Sequence, residues 1–293
     1  MKKILVIGSI NIDTTLYVDT FPKLGETILS KKLLVDLGGK GANQAVAIAR
    51  SGEDVSFMTC VGKDYYNSEV SKVLDKEDIK LNFINVNSPT GIAIIVVDDN
   101  GDNKIVVEAG ANTRLTPKVV EANIRLINNC DYICLQNEIP MTTNEYILKL
   151  AKQLGKVVIY NPAPYIKIDE SLYQFIDYLT PNEKELNSLV IENLPLEDKC
   201  KVLLKKGIKN IIVTLGDKGA YYLNNKESGY LPALKVTAVD TVAAGDTFNG
   251  YFVAGLSKDL TMIDAIKLAI KASGMSVTKL GAIPSIPYLS ELK

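Results

Sequence analysis

The run from Asp240 to Gly250, DTVAAGDTFNG, is where this sequence concentrates its chemistry. Small residues lead into a stretch that carries Phe248, Phe252 and Leu256 at helical spacing, so a turn with little side-chain bulk opens a helix. With Gly245 at that turn, the amides of Ala243, Ala244, Gly245 and Asp246 are expected to point outward at a helix N-terminus, a place that suits phosphate charge. A carboxylate on Asp246 beside such an anion hole can accept the proton of an attacking hydroxyl during phosphoryl transfer. Aspartate is also a favoured helix cap, and spacing alone does not separate the two readings.

Other polar and glycine-rich positions fall just past predicted strands. GGKGANQA (Gly38 to Ala45) precedes a helix but matches neither the P-loop nor the dinucleotide fingerprint. Its glycines, Gly39 and Gly41 among them, suit close approach of a polyhydroxylated ligand, with Lys40 and Asn43 supplying hydrogen bonds; a tight strand-to-helix turn reads equally well. Asn11 and Asp13 follow the first strand, where open α/β sheets place ligands, and their donors and acceptors suit vicinal hydroxyls. Either can also be an ordinary turn residue, and Glu138 an ordinary loop acid. PNEKE (Pro181 to Glu185) and TLGDKG (Thr214 to Gly219) can hold metal-bound water near phosphates or simply start helices.

Composition narrows the chemistry. Histidine is absent from all 293 residues, which removes serine–histidine and cysteine–histidine catalysis and leaves carboxylates, lysine, tyrosine or thiol as bases. A net charge of −1 drives the molecule toward neither nucleic acid nor an anionic membrane. Four cysteines without a C-x-x-C pair build no disulfide framework and fit a reducing cytoplasm. Cys130 and Cys134 read as buried small apolar residues rather than as a ligand pair. The opening ILVIG is too short to span a bilayer, so a soluble, unprocessed protein is expected.

The elements that must position these residues are legible as an alternation. Lys3 to Ser9 is a near-continuous apolar strand. Thr14 to Val18 and Ile28 to Leu37 read as strands with no helix between them, an antiparallel excursion. A helix from Gly41 to Ser51 stops at Gly52. Val55 to Val61 is a strand and Ser68 to Leu74 a helix, after which Ile92 to Asp98 and Lys104 to Glu108 form a hairpin. From Pro117 helices alternate with strands at Tyr132 to Leu135, Val157 to Tyr160, Tyr178 to Leu179 and Asn210 to Thr214, and two helices close the chain, Asp246 to Leu256 and Met262 to Thr278. This predicts a mostly parallel sheet with helices on both faces, and a second small sheet inserted into one domain spanning residues 1–293.

Taken in order, NID, GGKGANQA, NPAP, PNEKE, TLGDKG and DTVAAGDTFNG resemble the ribokinase group of the PfkB carbohydrate kinase family over nearly the whole chain. The resemblance implies a ribokinase-like three-layer α/β sandwich, with a β-sheet lid near residues 14–37 and 92–108 that closes over the sugar and joins two subunits as a homodimer. It implies that Asn11, Asp13, Gly39, Lys40, Gly41, Asn43 and Glu138 hold sugar and that Asp246 is the base. ATP is then expected along Asn182, Thr214, Gly216, Gly219, Ala243, Ala244 and Gly245. Glu185 is associated with magnesium through water, and potassium with Asp240, Val242, Ser276, Lys279, Gly281 and Ser285, several through carbonyls. Ile270 departs from the family, which often has a polar residue there near the nucleotide base. The expected reaction is transfer of the γ-phosphate of Mg-ATP to the 5-hydroxyl of D-ribose. NID with GGKGANQA resembles ribokinases more than fructokinases or adenosine kinases. The competing expectations are a kinase for deoxyribose, a nucleoside or fructose, and a silent sugar-binding regulator; the missing fingerprint argues against a dehydrogenase.

Overall fold

The computed structural model describes residues 2–292. The first apolar run forms β1 (Ile4–Ile7), buried at every position. Ile4 and Val6 join one apolar cluster and Leu5 and Ile7 another, so the strand is covered on both faces. The N-terminal part of the chain adds β2 (Asn11–Tyr17), β3 (Lys32–Gly38), β4 (Val55–Gly62), β5 (Ile79–Val86), β6 (Gly91–Val97) and β7 (Asn103–Glu108). The remainder adds β8 (Tyr132–Leu135), β9 (Val157–Tyr160), β10 (Tyr178–Leu179), β11 (Asn210–Thr214), β12 (Ala220–Asn224) and β13 (Ser228–Leu231).

Among the described residues, nine strands form one sheet in the order β13-β12-β11-β10-β9-β8-β1-β4-β5. Neighbours from β11 to β5 run parallel, and β12 and β13 append an antiparallel hairpin at one edge. The helices are α1 (Lys40–Arg50), α2 (Tyr65–Leu74), α3 (Pro117–Ala122), α4 (Ile124–Asn128), α5 (Met141–Gln153), α6 (Glu183–Leu189), α7 (Leu196–Lys205), α8 (Ala244–Ser257) and α9 (Met262–Ser276). Apolar residues of α1, α2, α8 and α9 build the core on one face of the sheet, and those of α3 through α7 the core on the other. Three layers result.

Four strands form a second sheet, ordered β3-β2-β6-β7, which stands apart from the large one. Asn11 and Asp13 therefore lie inside its central strand β2 rather than in a loop after β1. The sheet lies where the two excursions were expected, although β3 begins at Lys32 rather than Ile28. Three strands of the large sheet were not anticipated. In β5, Lys80 and Asn82 interrupt the apolar run of an edge strand, and β12 and β13 follow TLGDKG as a hairpin turning at Asn224 to Glu227.

Gly52 adopts φ +84° just past the end of α1, the left-handed stop that sequence placed there. α1 and α8 pack closely because Gly250 has no side chain: a Cβ there would lie 2.4 Å from Ala47 Cβ. Cys134 belongs to one core and Cys60 and Cys130 to the other, so Cys130 and Cys134 form no ligand pair. Burial pushes the Cys60, Cys130 and Cys200 thiols up to about 12. No helix among the described residues is long and apolar enough to cross a membrane.

Candidate active site

Two cavities meet at the start of α8. The larger, about 460 Å³, lies between the inner face of the small sheet and the loops of the large one. Its polar lining includes Asn11, Asp13, Asp36, Lys40, Asn43, Glu138 and Asp246. The smaller, about 280 Å³, is lined by Thr214, Gly216, Gly219, Ala244, Gly245 and Phe248, and its far end is apolar, with Leu234, Val236, Ile270 and Val277. Ala238 and Thr241 line both, while Asp246 faces the first and Gly245 the second. The first turn of α8 is thus the seam across which a group held in one cavity reaches the other.

The local geometry of that turn departs from the expectation in two ways. Its left-handed residue is Ala243, at φ 59°, and Gly245 is already helical. A non-glycine residue in this region costs about 1 kcal/mol or more, strain of a kind that concentrates at functional sites. The Ala244 amide donates to Thr241 O within the turn, so the outward amides are those of Ala243, Gly245 and Asp246, which find no acceptor among the described residues. Asp246 does not cap the helix. It sits in the first turn, and its Oδ2 accepts from Asn43 Nδ2 (3.0 Å) and its Oδ1 from Gln44 Nε2 (3.1 Å). Burial raises its carboxyl pKa, against the opposing pull of Lys40 and these two amides. A raised carboxylate is a stronger base.

Around it, carboxylates outnumber cations. The Lys40 ammonium makes no hydrogen bond or ion pair among the described residues; burial works against its charge, but Asp246, Glu138, Glu185 and Asp13 outweigh burial and hold its pKa above the ordinary value. Glu138 is fixed at the rim by Ser9 Oγ and the Lys40 amide. Asp13 stands directly opposite Asp36 across the β2/β3 pair. Burial, then Glu138, Asp36 and Asp246, push its carboxyl to about 7. Asn11 is oriented by Asn112 Nδ2, 2.8 Å from its Oδ1, and Asn43 keeps a buried Oδ1 with no partner among the described residues, free to accept from a hydroxyl.

Of the expected sugar ligands, Gly41 alone stays outside this cavity. It is glycine for packing: a Cβ there would stand 2.7 Å from the backbone of Gly8 and Ser9. Gly39 does line the cavity and needs its φ of +91° to turn β3 into α1. Asn182 lies outside the smaller cavity, capping α6 in a reciprocal pair with Glu185, and is tied to Thr214 by a bridge. Ala243 faces the larger cavity rather than the smaller. Ile270 lines the apolar end of the smaller cavity. Asp36, Gln44, Asn112 and Gln136 were not singled out from sequence, although Gln44 lies within GGKGANQA.

Both Glu185 oxygens already accept from Asn182, from its amide and its Nδ2, which leaves the carboxylate suited to meeting a magnesium ion through water. No cluster of three acidic or thiol groups among the described residues could hold a metal directly. The residues expected to hold potassium offer mainly backbone carbonyls. Asp240 is engaged by the amides of Val242 and Gly281, and the Lys279 ammonium by Glu291. The hydroxyls of Ser276 and Ser285 are turned to Ser273 O and Ala282 O. The carbonyls of Val242, Lys279, Gly281 and Ser285 accept no hydrogen bond among the described residues.

The chain is similar in sequence and fold to known proteins. The ribokinase of Lactococcus lactis is 41% identical over 295 residues, covering 100% of this chain and 96% of its own. The crystal structure of Thermotoga maritima ribokinase superposes with a TM-score of 0.93 at 42% identity, covering 100% of this chain and 98% of its own. The structure of Arabidopsis thaliana ribokinase complexed with ribose and ATP superposes with a TM-score of 0.91 at 29% identity, covering 99% and 97%. With the family model for pfkB carbohydrate kinases matching residues 1–289, the chain belongs to that family.

Proposed function

We propose that this sugar kinase transfers the γ-phosphate of Mg-ATP to the 5-hydroxyl of D-ribose, giving D-ribose 5-phosphate and ADP. The observation that carries the reading is Asp246, a buried carboxylate held by two amides at the seam between a polar cavity and a cleft with an apolar far end. The resemblance to ribokinases, one of them complexed with ribose and ATP, supports ribose as the acceptor.

In this reading Asn11, Asp13, Gly39, Lys40, Asn43 and Glu138 hold the sugar hydroxyls, and Asp246 takes the proton from the attacking one. The free amides of Ala243, Gly245 and Asp246 stabilise charge on the transferred phosphoryl group. Adenine lies between Val236, Ile270 and Val277, held by apolar contact rather than by hydrogen bonds from side chains there. Magnesium, when bound, neutralises phosphate charge, with Glu185 and Asn182 holding its water. Potassium is held by the carbonyl set beside the Asp240 turn, and Asp240 keeps that turn shaped through the amides of Val242 and Gly281.

The small sheet acts as a lid inserted into a single kinase domain. Its outer face carries a row in register, Val35, Thr14, Ile94 and Val106, of which the three apolar residues are 54%, 47% and 70% exposed. An exposed apolar sheet face supports a lid-to-lid homodimer. Four free buried thiols support a cytoplasmic location. ADP release with Mg-ATP and D-ribose, 2-deoxyribose, fructose or adenosine, with and without potassium, tests the assignment. Fastest release with ribose supports it, and binding of ribose with no ADP release from any acceptor replaces the kinase with a silent regulator.

A further inference from the structure

Gln44 is 1% exposed and Gln136 is fully buried, and neither lines either of the two cavities described above. They are nonetheless linked to the seam. Gln136 Nε2 donates to Gln44 Oε1 at 2.6 Å, and Gln44 Nε2 donates to Asp246 Oδ1 at 3.1 Å. The first bond fixes the sense of the Gln44 amide: with its oxygen turned to Gln136, its nitrogen must face the carboxylate. Gln136 is itself locked from two sides. Its backbone carbonyl accepts from Asn144 Nδ2 at 2.8 Å, and its side chain fills the space over Gly8, where a Cβ would meet Oε1 at 2.1 Å. The chain of contacts thus runs from the end of β1, through the loop after β8 and helix α1, to the first turn of α8.

We propose that Gln44, fixed in turn by Gln136, is a positioning residue that holds Asp246 by its Oδ1 and keeps the carboxylate ionised and aimed into the sugar cavity. Asn43 grips the other oxygen from the cavity side, where a sugar hydroxyl competes for its amide. Gln44 grips from behind, out of reach of any ligand, so its bond persists through the reaction. The charged groups that face Asp246 are Lys40 on α1, Glu138 after β8, Asp13 on β2 and Glu185 on α6. Three of the four are acids that disfavour its ionised form, which makes a permanent donor consequential.

The inference rests on Asp246 being the base. Its test is the pH dependence of kcat at saturating sugar and Mg-ATP, which reports the bound complex rather than titration of Asp13 in the empty cavity. Gln44→Met removes a hydrogen bond to a charged group, so the acid limb of kcat is expected to move up by about one pH unit, about a tenfold loss on the limb that shrinks as pH rises. Gln136→Met, which touches Asp246 only through Gln44, is expected to move the limb less in the same direction, and the double variant no further than Gln44→Met. Should Gln44→Met fail to fold, Gln136→Met carries the test by itself. An unmoved limb in a folded variant, or fully additive shifts, overturns the positioning role. Normal turnover by Asp246→Asn would instead overturn the reading of the base, so the two failures are distinguishable.

Discussion

Asp13 is expected to bind sugar at the expense of stability, and Asp13→Asn measures how much. The carboxyl is moved from its ordinary 3.8 to about 7 by burial and by Glu138, Asp36 and Asp246. Between those values the folded state holds a proton that the unfolded state has released, so the stability of the empty protein falls as pH rises from about 4 to 7 and is level above. A displacement of about three pH units at 1.36 kcal/mol each gives an upper bound of about 4 kcal/mol, and about 2 kcal/mol is a reasonable floor for a cavity that admits water. An amide of the same shape removes the charge. Unfolding entropy for 293 residues converts the gain to about 3 to 6 °C in Tm. Thermal melts of both proteins without sugar, from pH 4 to 9, provide the assay. The variant should match the wild type at pH 4 and exceed it at pH 8, while losing activity with ribose. An offset that is the same at pH 4 and pH 8, or a variant less stable at pH 8, refutes the reasoning.

Three further outcomes follow from the packing. Gly41→Ala places a methyl group 2.7 Å from the Gly8 and Ser9 backbone and should cost about 3 kcal/mol in urea denaturation; a neutral substitution would mean that α1 does not abut the segment after β1 as described. Arg50 pairs with Glu77 at 2.6 Å and donates to the carbonyls of Ile283 and Ile286, so Arg50→Met should lose about 3 to 5 kcal/mol, and a loss under about 1 kcal/mol would show the buried pair to be dispensable. On the proposed lid-to-lid pairing, like charges on the outer face of the small sheet, Val35→Glu with Ile94→Glu, should turn the wild-type dimer into a monomer by light scattering; a wild type that is already monomeric, or a variant that stays dimeric, refutes that pairing.

Much of this structure can be read from the chain, and the exceptions have physical causes. β1 and α8 declare themselves because they are buried along nearly their whole length, and α9 because its buried residues recur at helical spacing. The edge strand β5 does not, since Lys80, exposed, and Asn82, half-buried, interrupt its apolar run. The Asp240 to Gly250 segment marks a helix start, yet sequence puts Gly245 at the turn, where the structure has it inside the helix and gives the left-handed turn residue to Ala243. Gly41 illustrates a different limit: a glycine that admits a ligand and one that admits neighbouring backbone look alike until the Gly8 and Ser9 segment after β1 is seen beside it. Gln136 carries no motif, and its link to Asp246 exists only because the loop after β8 and helix α1 meet in three dimensions.

The central claim is that Asp246 is the base of a ribose kinase, and turnover of Asp246→Asn with Mg-ATP and ribose tests it most directly. Loss of the base should lower kcat by about 10² to 10⁴-fold. Ribose binding should remain, since the amide keeps the shape of the carboxylate between Asn43 and Gln44. Turnover within a few-fold of the wild type would contradict the account.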